Sequence, residues 1–101
     1  MADYTCRSQQ RLIKAIAAMA GRELDGIAPG ELAELTGMNA SQVTAALANL
    51  QIAGWAEKNP SGTWRLTPKP VMIFGKVAES FERARLKVME QEAYYLNGGK
   101  R

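Results

Sequence analysis

The segment 41–49 contains four polar, uncharged side chains: Ser41, Gln42, Thr44 and Asn49. The amide of a glutamine or asparagine carries a donor beside an acceptor and can bond both N6 and N7 of adenine, and hydroxyl groups can bond bases of either type. A good pair of this kind is worth roughly 1–3 kcal/mol of discrimination against a wrong base. The chemistry that these residues predict is hydrogen bonding to base edges.

Positive charge lies on both sides of this polar segment. The chain has a net charge of +3, but residues 23–57 contain five acidic residues and no basic one. The flanking segments 1–22 and 58–76 have net charges of +3 and +4. Lysine and arginine side chains grip phosphates and carry the salt-dependent part of nucleic-acid binding. The residues predicted to contact a DNA backbone are Arg11, Lys58, Arg65 and Lys69.

The composition argues against catalysis, although pairs of carboxylates could still do acid-base work. The chain has no histidine, so it lacks the commonest general base and cannot form a Ser-His-Asp or Cys-His arrangement. Its one cysteine, Cys6, cannot form an internal disulfide and offers little toward a zinc site. The acidic residues have the spacing of solvated helix surfaces, and no glycine-rich phosphate loop is present. We expect no enzymatic activity, no metal and no cofactor.

Three short helices are predicted to position the polar and basic side chains. Ser8 is a suitable N-cap for the first helix, and Pro29 fits the first position of the second. Gly37 ends the second helix in a tight turn that needs a positive φ, and either Asn39 or Ser41 can cap the third. Apolar residues recur at three- and four-residue spacing in each. The predicted helices are Gln9–Ala20, Pro29–Thr36 and Ala40–Ala53.

A β-hairpin and a long helix follow. Two alternating segments, 55–58 and 63–66, flank the turn signal Asn59-Pro60-Ser61-Gly62. Trp55 and Trp64 fit sheet packing better than stacking on bases. A very short strand is predicted at Ile27-Ala28. A helix is predicted over 71–95, with a flexible basic tail at 96–101. The expected fold is mainly α with a small β-hairpin and a long C-terminal helix.

Several motifs share one arrangement: Glu31-Leu32-Ala33, Thr36-Gly37-Met38, Ser41-Gln42-Val43, Leu47, Leu50, Gly54-Trp55 and Trp64-Arg65-Leu66. In these residues the chain resembles the N-terminal DNA-binding domain of IclR-type transcriptional regulators. The resemblance implies a winged helix-turn-helix domain over 8–67, with the third helix in the major groove and the hairpin, or wing, on the adjacent backbone or minor groove. The chain departs from this family at Ala45, where an arginine is usual, so base reading depends on the polar residues named above.

The C-terminal helix carries a second pattern. Apolar residues step by three and four, with one interruption at Gln91, as in a coiled-coil seam. We expect the seam to form a homodimer, which would present two third helices to a palindromic site; packing back over the first helix and the hairpin is the alternative for its first turns. The predicted interface residues are Phe74, Val77, Phe81, Ala84, Val88 and Tyr95.

These patterns predict a DNA-binding protein, either a transcriptional regulator or a phage- or plasmid-type accessory factor. No effector domain and no small-molecule ligand are expected. The alternative is a winged-helix adaptor for protein–protein interaction. The acidic segment 23–34 is either a solvated face or a surface for a basic partner. Lys58 and Arg65 are either phosphate contacts or ordinary solvated strand charges, and Gln42 and Thr44 either contact bases or are simply exposed helix residues. No apolar run reaches the roughly 18–20 residues of a membrane span and no signal peptide opens the chain, which predicts a cytoplasmic protein.

Overall fold

Four helices and one hairpin make up the fold of residues 2–98, the part of the chain that a computed structural model describes. This confirms the predicted fold class of a mainly α chain with a small hairpin and a long C-terminal helix. The chain divides into two structural units, Met1–Pro70 and Val71–Arg101. In chain order the elements are α1 (Arg7–Met19), α2 (Pro29–Thr36), α3 (Ala40–Ile52), β1 (Ala56–Lys58), β2 (Trp64–Leu66) and α4 (Pro68–Leu96).

Helix α1 begins two residues earlier than predicted. Its N-cap is Cys6, and the N–H of Gln10 donates to the Cys6 carbonyl over 3.0 Å. Ser8 therefore lies inside the first turn, where its hydroxyl is 3.4 Å from Cys6 Sγ, and the prediction that Ser8 caps the helix is wrong. The physical reason is that the backbone bond to the Cys6 carbonyl begins the helix two residues earlier and needs no capping side chain.

The connection from α2 to α3 follows the local sequence closely. Gly37 has φ +74° at the C-cap of α2, which confirms the predicted left-handed turn. Asn39 caps α3, because its Oδ1 accepts a bond from the Gln42 N–H (2.8 Å) while Gln42 Oε1 accepts one from the Asn39 N–H (3.1 Å). This reciprocal capping box decides between the two predicted caps in favour of Asn39 over Ser41.

The hydrophobic core of the first unit lies between the three short helices and the hairpin. The half-buried Trp55 and Trp64 pack against it, which confirms their predicted packing role. Full burial of one large aliphatic side chain in such a core stabilises a domain by about 1.5–3 kcal/mol. The buried hydrophobic residues are Ala15, Met19, Ile27, Leu32, Met38, Val43, Ala46, Leu47, Leu50, Ala56 and Leu66.

Strands β1 and β2 pair antiparallel, with Ala56 opposite Leu66 and Lys58 opposite Trp64. The short strand predicted at Ile27-Ala28 is a one-residue bridge: Ile27 and Trp64 exchange two backbone hydrogen bonds of 2.8 Å. The preceding residue, Gly26, has φ +76°, and a Cβ there would lie 2.5 Å from Thr63 Oγ1. Glycine is therefore required where the loop before α2 approaches the hairpin.

Helix α4 begins three residues before the predicted start. Pro68 and Pro70 fall in its first turn, where a missing N–H costs no intrahelical bond, and Thr67 Oγ1 accepts a bond from the Lys69 N–H. The helix ends at Leu96, the first residue of the predicted flexible tail; residues 99–101 of that tail lie outside the described residues. Within residues 2–98, no helix is both long enough and apolar enough to cross a membrane.

Candidate nucleic-acid interface

Helices α1 and α3 enclose a groove of about 400 Å³ that collects four of the predicted site residues. Arg11 contributes a guanidinium from α1, and Ser41, Gln42 and Asn49 contribute polar groups from α3. Leu12 and Ala46, which belong to the core and its border, supply apolar surface. The α1–α3 groove is lined by Ser8, Gln9, Arg11, Leu12, Ser41, Gln42, Ala45, Ala46 and Asn49, and none of these residues is acidic.

Helical periodicity explains why these side chains share one surface. Residues 41, 45 and 49 of α3 are four positions apart, as are residues 8 and 12 of α1, so each set lies along one side of its helix. The inward sides of the same helices are fixed by buried Ala15 and Val43. Because the apolar sides of α1 and α3 are buried in the core, their orientation determines which polar residues on the remaining sides line the groove.

Each amide in the groove already makes one hydrogen bond within α3. Gln42 Oε1 accepts the bond that completes the capping box, and Asn49 Nδ2 donates to the Ala45 carbonyl over 2.8 Å. Each amide keeps a donor and an acceptor for a ligand: Gln42 keeps its N–H groups and a second lone pair on Oε1, and Asn49 keeps Oδ1 and the second N–H of Nδ2. The intrahelical bonds fix the orientation of both amides and so restrict the directions from which a base can bond them.

Thr44 lies on α3 outside the groove lining, although the sequence grouped it with the other polar residues. It is exposed, and its Oγ1 donates to the Ala40 carbonyl over 2.9 Å. A hydroxyl that bonds the carbonyl four residues earlier keeps its acceptor lone pairs. Thr44 can therefore accept a bond from a ligand that also reaches the exposed side of α3.

A basic surface on α1 adjoins the groove. Arg7, Arg11 and Lys14 are four and three residues apart and, with Thr5 and Gln10, line a shallow depression that contains no acidic residue. Arg11 lines both surfaces. Of these three cations only Arg11 was predicted as a site residue, although their i, i+4, i+7 spacing in the sequence already indicates a common face.

Two of the acidic residues between the basic segments, Glu23 and Glu31, bond to groups of the loop between α1 and α2. Arg22 forms a forked ion pair with Glu31, with N–O distances of 2.7 and 2.9 Å. The Arg22 hydrogen bonds hold the pKa of Glu31 below its ordinary value, while the Glu31 carboxylate raises the pKa of Arg22. Glu23 accepts a bond from the Gly21 N–H over 2.7 Å. The pairing of acid with base inside this loop was not predicted from the sequence.

The basic residues of the hairpin region differ in how available they are. Lys58 is exposed at the end of β1. Arg65 Nε lies 2.7 Å from Glu57 Oε1 across the strand pair, with both side chains a little over 40% exposed (43% and 44%). Lys69 Nζ donates to the Ala53 carbonyl over 3.0 Å, which places a cation at the C-terminal end of α3. Two of the three predicted phosphate contacts here already have a partner in the chain.

The predicted dimer seam on α4 presents large apolar side chains to solvent. Phe81 is 73% exposed and Val88 is 63% exposed, and the other predicted positions of the seam are also exposed. The rings of Tyr94 and Tyr95 meet edge to face, with centroids 5.2 Å apart.

Within the part of the chain that the structure describes, no group of three or more histidine, cysteine or acidic side chains is arranged to hold a metal ion. Comparison of the chain with models of known protein families and with curated protein sequences gives no match. The resemblance to IclR-type regulators therefore stays a prediction.

Proposed function

We propose that this protein binds double-stranded DNA without catalysis, as a transcriptional regulator or an accessory factor of a mobile element. The observation that carries the proposal is the α1–α3 groove, in which a guanidinium from α1 lies beside the polar side chains of α3 and no carboxylate intervenes. Arg11 supplies to this surface the cation that α3 itself lacks.

The element order supports a winged helix-turn-helix arrangement. Helix α2, the Gly37 turn and α3 are followed by a two-stranded hairpin, as in winged-helix DNA-binding domains. In such a domain α3 enters the major groove, and cations on α1 and on the hairpin contact phosphates. The cations suited to this role are Arg7, Arg11 and Lys14 of the basic surface and Lys58 of β1.

Sequence recognition by this surface is expected to be weak. No arginine is present on α3, and an intrahelical bond fixes the orientation of each of the Gln42 and Asn49 amides. Specificity then depends on Ser41, Thr44 and the remaining amide groups, together with the shape of the DNA. A non-specific or shape-dependent DNA-binding factor fits these residues best.

The test measures binding of the full chain to a fluorescent duplex of random sequence as salt rises from about 50 to about 200 mM. Each phosphate contact adds about 0.9 to the slope of log affinity against log salt. Arg11→Gln should lower that slope by about 0.9. The factor by which affinity falls between the two salt concentrations should then be about 3–4 times smaller for the variant than for the wild type.

The matched control is Arg83→Gln, which removes the same charge from α4 outside the groove, and we expect it to leave the slope unchanged. A wild-type protein without salt-dependent binding would overturn the proposal and favour the adaptor alternative. Equal effects of the two variants would show that binding follows overall charge and does not use the groove.

A further inference from the structure

The exposed seam of α4 has the regular spacing of a coiled coil. From Phe74 to Tyr95, the seam positions follow one another at intervals of three and four residues. Such a 3.5-residue period keeps one stripe of a helix facing a partner helix along its whole length. Val77, Phe81 and Val88, which are between 57% and 73% exposed, lie on this stripe. In heptad notation, the a positions are Phe74, Phe81, Val88 and Tyr95, and the d positions are Val77, Ala84 and Gln91.

We propose that α4 pairs with α4 of a second copy of this chain as a parallel, in-register, two-stranded coiled coil. The proposal does not depend on DNA binding. It commits to a second copy of the chain as the occupant of the seam, and the charges that flank the seam give the reason.

In a parallel pair, the residue before an a position faces the residue five places later on the partner, which follows a d position. Lys87 precedes Val88 and Glu92 follows Gln91, so Lys87 faces Glu92 of the partner subunit, and symmetry makes this pair twice. Lys87 and Glu92 are both exposed. The preceding pair of flanking positions joins Ser80 to Arg85 and adds no repulsion. The flanking charges of α4 are therefore complementary to those of an identical, parallel helix.

Antiparallel pairing lacks this complementarity. Two antiparallel alignments each pair six of the seven seam positions. One places Lys87 opposite Ser80 and Arg85 opposite Ala78, so no ion pair forms. The other, shifted by one heptad, places Lys87 opposite Lys87 and Arg85 opposite Arg85, which is repulsive. The charges on α4 thus favour the parallel orientation.

Gln91 fixes the register. In the parallel, in-register pair it meets its own copy, and two amides can bond each other because each has a donor and an acceptor. A shift by one heptad would leave the amide against Ala84, which cannot bond it. A polar residue in a seam is a known device for specifying register at some cost in stability.

Cross-linking tests the orientation. In full-length protein with Cys6→Ser, Gln91→Cys should form a disulfide-linked dimer almost completely under mild oxidation. In the two antiparallel alignments, the introduced cysteines would lie about 25 Å and about 15 Å apart along the axis, in both cases beyond the reach of a disulfide. The control is Arg83→Cys in the same background, which lies outside the seam and should cross-link poorly. A dimer in which Gln91→Cys does not cross-link would overturn the parallel arrangement.

Charge reversal tests the pairing. Lys87→Glu and Glu92→Lys should each weaken dimerisation on the order of tenfold, because each replaces two attractive pairs with repulsive ones. The double variant should restore wild-type affinity, and Arg83→Glu, outside the seam, should have little effect. Sedimentation equilibrium provides the measurement. Failure of the double variant to recover, or a wild-type mass of 11.0 kDa at tens of micromolar, would overturn the proposal.

Discussion

The ion pair between Glu57 and Arg65 gives a test in which DNA binding should improve. The two side chains face each other across the hairpin, and the Glu57 carboxylate pairs with the Arg65 guanidinium, which the sequence predicts as a phosphate contact. Glu57→Gln removes this competing negative charge and keeps the size of the side chain. If the hairpin lies near phosphates, the freed Arg65 should gain about one phosphate contact.

The expected magnitudes follow from the exposure of the pair. A cross-strand ion pair that is more than 40% exposed contributes only about 0.2–1 kcal/mol to folding, so the variant should remain folded. One additional phosphate contact steepens the slope of log affinity against log salt by about 0.9. Affinity of the variant for a random duplex should therefore rise. The factor by which this affinity falls from about 50 to about 200 mM salt should be about 3–4 times larger than for the wild type.

Fluorescence anisotropy titrations provide the assay, and thermal unfolding monitored by circular dichroism verifies that the variant is folded. Glu82→Gln is the matched control, because it removes the same charge from an ion pair with Arg85 on α4. A general effect of net charge would raise affinity equally in both variants. An unchanged slope for Glu57→Gln would refute the reasoning that brings the hairpin close to phosphates.

Three further predictions concern the groove and the loop before α2. Ala45→Arg should tighten binding to duplexes that present guanine by roughly 1–3 kcal/mol, since Ala45 lines the α1–α3 groove; titration of guanine-containing and guanine-free duplexes measures this, and equal gains on both would contradict base contact. Gly26→Ala should destabilise the fold by more than the roughly 1–2 kcal/mol expected from a positive φ alone, because its Cβ would meet the Thr63 side chain. The control Gly21→Ala, with φ +92° and no neighbour within 4 Å, should show only the backbone cost. Equal losses of stability in urea unfolding would refute the clash with Thr63. Because Arg22 lowers the pKa of Glu31 below its ordinary value of 4.5, the ion pair stabilises the fold above pH 4.5, and this stabilisation is lost as the pH falls through the lower folded-state pKa. The difference in free energy of unfolding between wild type and Glu31→Gln should therefore disappear in acid. A difference that persisted in acid would contradict an electrostatic origin.

Several elements of the fold could be predicted from the sequence because their signals are local. Helix α2 has the predicted bounds, since proline can begin a helix and glycine can end one in a left-handed turn without steric cost. A polar turn between alternating segments predicts the hairpin, and each of its strands begins one residue later than predicted. The start of α1 was predicted incorrectly. Cys6 is the N-cap where Ser8 was expected, because a backbone bond can extend a helix past a residue that is well suited to capping.

The candidate site was only partly predictable, because its members meet through packing across the chain. The sequence identifies Arg11 and Ser41 as basic and polar residues, but their common groove depends on how α1 and α3 bury their apolar sides. The same holds for the charges. Arg65 is a free cation in the sequence and an ion-paired one in the fold, because the strand register places Glu57 opposite it. The local spacing of residues thus determined the elements and their polar faces, whereas the tertiary contacts decided which of those polar groups remain available to a ligand.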